Sequence, residues 1–252
     1  MQSLEKSKTR KTLGITAVEG EKEIEMAMAA GMDFQMVFYQ KEIADTSFLN
    51  QIDKQYPQVE FINLSRDLFA KLTYRETTGG MIAVIKTKTN LLKDLKLPEN
   101  PLVLIIEAVE KPGNLGAILR TADAAKVDAV ICCHLPTDIY NPNIIRASLG
   151  TVFTVPLATT GNDETMEWLK AKKITTYCTN LHKAEAYYQK DYNKGCAIVM
   201  GTEATGVSDA WIQFADANIK IPMLGKIDSM NVSVAAAIVV YEARRQRLNN
   251  NQ

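Results

Sequence analysis

Two unbroken apolar runs, Leu-Val-Leu-Ile-Ile at 102–106 and Ala-Ile-Val-Met at 197–200, constrain this fold more than any other feature of the sequence. A strand that alternates apolar and polar residues can keep one face in water. A continuous run has to be buried on both faces, which is the setting of a parallel sheet covered by helices. Further strand candidates at 127–132, 152–156, 174–179 and 217–221 are separated by amphipathic stretches, the pattern of an α/β domain. Asn141-Pro142 reads as a helix start, and a last helix over 231–248 is apolar and alanine-rich on nearly every side up to Tyr241. Such a helix is expected to be deeply buried.

The first part of the chain alternates in the same way. A helical pattern over 21–30 stops at Gly31 and is followed by a strand at 35–39, a helix over 46–55 and a strand at 59–63. Ser65 reads as the cap of a helix through Leu72, and a strand at 81–86 follows Gly79-Gly80. The segment KTKTNLLKDLKLPENP, lysine-rich and punctuated by Pro98 and Pro101, reads as a linker. This predicts an N-terminal domain over 1–96, with the linker starting near 87, and a second domain over 97–252.

Composition closes off several functions. Twenty-nine Lys and Arg balance twenty-nine Asp and Glu, so nucleic acid would have to be met through a local basic patch. Candidates are Lys6, Lys8, Arg10 and Lys11 near the start, Lys71 and Arg75 before the glycine pair, and Arg146. No apolar run approaches the roughly 20 residues of a membrane span, and MQSLEKSKTRKTLG has no apolar core of a signal peptide. The cysteines Cys132, Cys133, Cys178 and Cys196 form no C-x-x-C, and His134 and His182 are the only histidines. Zinc hydrolysis and Ser-His-Asp chemistry are therefore disfavoured. A reduced, cytoplasmic, metal-free protein is expected.

Polar chemistry gathers in three loops at strand ends. The first runs from Glu107 through Lys111-Pro112-Gly113-Asn114 to Arg120, where Asn114 either caps a helix or aims its amide at a ligand, and Gly116 shares a face with Arg120. The second is Gly201-Thr202-Glu203, closed by Gly206, where Glu203 either holds the loop or acts on a substrate. The third runs from Ile221-Pro222 to Ser229-Met230-Asn231, where Ser229 or Asn231 may serve only as an N-cap. G-x-G-x-x-G and G-x-x-x-x-G-K-[ST] are both absent, so dinucleotide and P-loop readings lack their fingerprints. Taken singly, each loop has a plain structural explanation.

In order and spacing they have a specific one. Asn-Leu-Gly-Ala-Ile-x-Arg-Thr-Ala, then Gly-x-Glu-x-x-Gly, then Ile-Pro-Met-x-Gly-x-x-x-Ser-x-Asn-Val-Ser-Val-Ala closely resemble the three signature motifs of the SpoU/TrmH family, RNA ribose 2′-O-methyltransferases of the SPOUT class. The match spans roughly 102–247, and Val18-Glu19-Gly20 with the Thr-Gly-Gly before Met81 resemble the family's substrate-binding domain more loosely. The resemblance implies a parallel-sheet methyltransferase domain with a deep trefoil knot, preceded by a smaller α/β substrate-binding domain. It also implies S-adenosylmethionine as methyl donor, S-adenosylhomocysteine as product, no metal, and a homodimer. By motif position, Asn114, Arg120, Glu203, Ser229 and Asn231 are the expected catalytic and site-forming residues. Thr179, Asn180, Leu181, Gly201, Ile221 and Met230 are the expected cofactor contacts. Met230 stands where the family usually has Leu, a swap of similar volume.

Because neither histidine lies in a motif, Arg120 is the expected helper in methyl transfer. Arginine stays protonated, so its expected role is to hold a phosphate and stabilise charge on the reacting oxygen rather than to act as a base. Ribosomal RNA is the first expectation for the substrate, since a separate N-terminal binding domain resembles rRNA-directed members, and tRNA is the second. Two rivals are a non-catalytic RNA-binding protein that keeps the knot and a nucleotide-binding oxidoreductase using the same crevice.

Overall fold

The computed structural model of the protein describes residues 2–73, 78–181, 183–202 and 205–249. By contacts the chain divides into two compact units, Met1–Thr89 with Thr137–Thr154, and Asn90–Pro136 with Val155–Gln252. Arg75, His182 and Glu203 lie outside the described residues.

The first unit begins with α1 (Ser7–Leu13), β1 (Ile15–Glu19), α2 (Glu21–Ala29), β2 (Phe34–Tyr39), α3 (Thr46–Gln55), β3 (Glu60–Asn63), α4 (Arg66–Leu72) and β4 (Met81–Lys86). Its sheet has the order β1-β4-β2-β3, with β4 antiparallel to β1 and β2, and β2 parallel to β3. The β4 sequence Met-Ile-Ala-Val-Ile is buried throughout, as an inner strand requires. β1 was not among the expected strands. It is an edge strand in which only Thr16 and Val18 are buried, so its five residues carry a weak alternating signal. Ser65 caps α4 as expected, its Oγ accepting from Leu68 N at 3.4 Å.

The second unit opens with β5 (Leu102–Glu107), α5 (Pro112–Ala124) and β6 (Ala129–Cys133). Two short helices, α6 (Pro142–Ala147) and α7 (Thr151–Thr154), then group with the first unit. The second resumes with β7 (Leu157–Thr160), α8 (Asn162–Lys172), β8 (Thr175–Thr179), β9 (Glu185–Ala186), β10 (Cys196–Met200), α9 (Asp209–Phe214), β11 (Ala217–Lys220) and α10 (Val232–Asn249). Seven strands form one sheet, β7-β6-β5-β10-β8-β11-β9, and every neighbouring pair is parallel. The two apolar runs are its centre, paired from Ala197 opposite Val103 to Met200 opposite Ile106, and buried on both faces.

Two expectations need correction. The run 152–156 is not a strand: Thr151–Thr154 is helical, and the strand follows at Leu157–Thr160. Leu149 and Gly150 both take positive φ and reverse the chain after α6, which overrides the β-branched composition. Only glycine fits at 150, since a Cβ there would sit 2.7 Å from Met26 Cβ. The last helix is also less enclosed than its composition implies. Val232, Ala236, Val239, Val240 and Ala243 are buried, but Val234 and Tyr241 are each 50% exposed. Its basic end is structural. Arg247 donates to the carbonyls of Tyr192, Asn100, Pro101 and Lys194 at 2.7–3.1 Å, and Arg244 to those of Ala125 and Lys126.

Arg10, counted above among RNA-facing charges, is 1% exposed. Its guanidinium donates to the carbonyls of Leu4 and Glu5 at 2.7 and 2.8 Å and pairs with the Asp138 carboxylate, to which Ser7 Oγ also donates. Burial pushes the Asp138 carboxyl up, but these hydrogen bonds and the Arg10 charge outweigh it and hold it below its usual range. A lowered carboxylate stabilises the fold fully above its unfolded value, near 4, and stops doing so as pH falls through the folded value. Asp138→Asn should cost about 3 kcal/mol at pH 7, because it strands a buried guanidinium. Urea midpoints measured from pH 5 to pH 3 should show wild type and variant converging, and a constant gap would contradict this.

Candidate active site at the carboxyl edge of the parallel sheet

Since all pairs in the second sheet are parallel, the loops leaving β5, β8, β10 and β11 share its carboxyl edge, where open α/β sheets bind ligands. A cavity of about 450 Å³ lies there, within the usual size of a small-molecule site. It is lined after β8 by Thr179, Asn180 and Leu181, after β10 by Gly201, after β11 by Ile221, and before α10 by Ser229 and Met230. These are seven of the site residues expected from the sequence. Met200, Val207, Ile212, Ile219 and Val239 are among its apolar lining residues. Asp209, Asp228 and Lys220 also line it and were not singled out from the sequence.

Asn114, Arg120 and Asn231 are not among the lining residues. Asn114 does not cap α5: the helix starts at Pro112 with Lys111 in the cap position, because Pro is preorganised for a first turn. Its Oδ1 instead accepts from Asn231 Nδ2 at 3.0 Å, so one hydrogen bond joins the first loop to the third. Asn231 is also the cap of α10, its Oδ1 accepting from Ser233 N at 3.0 Å and Ser233 Oγ at 2.6 Å. Ser229 is exposed and donates to Asp228 Oδ1 at 3.3 Å. Arg120 is exposed on α5, one turn beyond the buried Gly116.

The second loop is a tight turn. Thr202 and Gly206 exchange backbone hydrogen bonds of 2.9 and 3.0 Å, and Thr202 Oγ1 accepts from Thr205 N at 3.0 Å. Its far end is fixed by Glu107, which the sequence reading quoted but gave no role. Glu107 is 6% exposed at the end of β5; its carboxylate accepts from Ser208 N at 2.7 Å and Asn162 Nδ2 at 2.5 Å. Asn162 Oδ1 in turn accepts from Trp211 Nε1 at 3.0 Å, and His134 Nε2 accepts from Asn162 N at 3.2 Å. A carboxylate closing an apolar strand before a Pro-Gly loop was the available signal.

The four cysteines are free and buried. Burial pushes the Cys133 and Cys196 thiols up to about 11 and Cys178 up to about 12, and raises Cys132 as well. Among the described residues no three His, Cys, Asp or Glu side chains gather as a metal site.

Residues 101–241 match the SpoU rRNA Methylase family, and residues 1–83 match the MRM3-like substrate binding domain. The 23S rRNA (guanosine(2553)-2'-O)-methyltransferase RlmP of Bacillus subtilis is 31% identical over 243 residues, 96% of this chain and 94% of its own. A tRNA (guanosine(18)-2'-O)-methyltransferase of Thermus thermophilus is 39% identical over 156 residues, 61% of this chain and 79% of its own. The crystal structure of the SpoU methyltransferase AviRb from Streptomyces viridochromogenes in complex with AdoMet is similar at a TM-score of 0.89 and 26% identity, covering 98% of this chain and 97% of that one.

Gly201 makes the tightest approach in the site: a Cβ there would lie 2.1 Å from the Gly206 carbonyl oxygen and 2.4 Å from Val207 N. Both obstacles are backbone, so Gly201→Ala must force the turn open. It should cost at least about 1–3 kcal/mol, the usual range of overpacking. Gly225→Ala, where nothing lies within 4 Å, should leave the melting temperature unchanged. Equal melting temperatures for the two variants would contradict the geometry.

Proposed function

The chain belongs to the SpoU rRNA Methylase family, and from that premise we propose that it methylates a ribose 2′-hydroxyl of structured RNA, with S-adenosylmethionine as donor. The single observation that carries this reading is the joining of the first and third motif loops by Asn114 and Asn231 at the sheet edge that also holds the cavity. Bound there, S-adenosylmethionine supplies a methyl group on a positively charged sulfonium and leaves as S-adenosylhomocysteine. The cavity fits it in chemistry as well as size: apolar residues for the faces of a purine, and the Asp209 and Asp228 carboxylates for positive charge. Thr179, Asn180, Leu181, Gly201, Ile221 and Met230 hold the cofactor, with Ser229 shaping the wall towards substrate.

Arg120 holds the phosphate beside the reacting ribose and stabilises negative charge developing on the oxygen. Its exposure leaves the guanidinium accessible to RNA, and its planar fork suits a phosphate. Asn114, fixed by Asn231, orients the ribose; Glu203 braces the second loop. Residues 97–252 perform the transfer and residues 1–96 bind the RNA, with Lys6, Lys8 and Lys11, all exposed, contributing positive charge. Ribosomal RNA is the favoured substrate, because a relative aligned over 96% of this chain is named as a 23S rRNA methyltransferase. Transfer RNA is the second reading, supported by a tRNA-modifying relative that matches 61% of this chain.

The placement of β10 between β5 and β8, with β11 beyond β8, supports a chain threaded into the trefoil knot. The exposed apolar surface of Val234 and Tyr241, with Leu224 at 96% and Ile227 at 67% exposed, supports a homodimer. No described helix is long and apolar enough to cross a membrane, and the RNA substrate supports a cytoplasmic location.

Arg120→Ala should leave S-adenosylhomocysteine affinity within a few-fold of wild type and lower the single-turnover methylation rate by about 10²–10⁴. Arg120→Lys should be nearly as damaging, since an ammonium cannot replace the fork. A normal rate in Arg120→Ala would end the assignment. Light scattering at micromolar concentration should give a dimer that Tyr241→Glu weakens; a fully active monomer would contradict the interface.

A further inference from the structure

The first unit has a polar crevice that the reading above leaves unused. β2 and β3 are its one parallel pair among the described residues, and their carboxyl ends open onto a hollow of about 1300 Å³. Gln40, Glu42, Ile43, Asn63, Arg66 and Phe69 are among the residues that line it. A second hollow of about 390 Å³ shares Asn63 and adds Lys41 and Phe61.

Gln40 is the informative group. It is 3% exposed, its Nε2 donates to the Glu42 carboxylate, and its Oε1 has no hydrogen-bond partner among the described residues. The hydrogen bond from this buried amide holds the Glu42 carboxylate on the wall of the hollow. Beside it Ile43 is 57% exposed, while Leu64 and Phe69 form a buried apolar floor. The rim is preformed: a Cβ on Gly80 would lie 2.7 Å from Ile43 Cγ1 and 2.8 Å from Ala44 N, so residues 43–44 are packed against the turn at 78–80.

An apolar floor, an acceptor pair and one arginine match the parts of a nucleotide. The flat base suits Ile43 and the floor, a pair of N–H donors suits the two oxygens of the exposed Glu42 carboxylate, and a phosphate suits Arg66. Paired bases bury their edges, so only a splayed-out nucleotide can enter. Guanine alone presents two adjacent N–H donors, N1–H and N2–H, on its pairing edge. We propose that this crevice captures one unpaired guanine of the RNA substrate, a recognition step separate from methyl transfer. This rests on the reading of the chain as an RNA methyltransferase.

The test uses the full chain and fluorescein-labelled RNA hairpins that are fully paired or carry a single bulged guanine or adenine, followed by anisotropy. Wild type should bind the guanine bulge at least ten-fold more tightly than the paired hairpin and several-fold more tightly than the adenine bulge. Glu42→Gln should bring the guanine preference below two-fold, and Arg66→Ala should weaken both bulged hairpins alike. Arg66 is exposed, so Arg66→Ala should not move the melting temperature, and Glu42→Gln, which keeps an acceptor for Gln40 Nε2, should move it little. Equal binding of the three hairpins by wild type, or an unchanged preference in Glu42→Gln, would overturn the proposal. Tritiated methyl transfer into total RNA, measured on the same preparations, separates the two readings. A wild type that methylates without discriminating keeps the enzyme and loses the crevice. One that discriminates without methylating does the reverse.

Discussion

Parallel pairing decides where this protein can do chemistry. In a sheet whose neighbouring strands all run the same way, each strand must be reached by a crossover, and every loop leaving a strand emerges on one edge. Loops separated by more than a hundred residues, such as 107–114 and 221–231, are thereby brought within hydrogen-bonding distance, as the Asn114–Asn231 bond shows. That geometry needs β10 to insert between β5 and β8, and the continuous apolar runs at 102–106 and 196–200 suit a sheet centre, buried on both faces.

The site rests on that core through a few polar anchors. Glu107, at the end of β5, receives Ser208 N and Asn162, and so ties the end of the second motif loop and α9 to the central strand. At the opposite end of the strands, Arg247 satisfies four carbonyls and fixes the end of α10. Both are charged groups held by several hydrogen bonds, which is how a charge is kept inside a fold without a prohibitive desolvation cost. Arg120 and Ser229, by contrast, are exposed.

Much of this was legible in the sequence because the signals were local and strong. Continuous apolar runs marked the sheet centre, Ser65 and Asn141 marked helix starts, and the second and third motifs held four residues that line one cavity, with Thr179, Asn180 and Leu181 added by the family resemblance. What was illegible depended on partners distant in sequence. The stretch at 152–156 has strand composition, yet left-handed Leu149 and Gly150 turn it into a helix. Arg10 looks like any basic residue near a terminus, and only Asp138, 128 positions later, makes it an interior group. Asn114 sits where a cap is expected, but Pro112 starts the helix two residues earlier and frees its amide for Asn231.

The central claim is that this constellation places a methyl group on a ribose of cellular RNA. The most direct measurement is a map of ribose 2′-O-methylation across total RNA from cells lacking this chain, compared with the parent. The account predicts that a ribose methyl disappears, in ribosomal RNA first, and returns when the wild-type chain is restored. Identical methylation maps, in cells shown to express the protein, would contradict it.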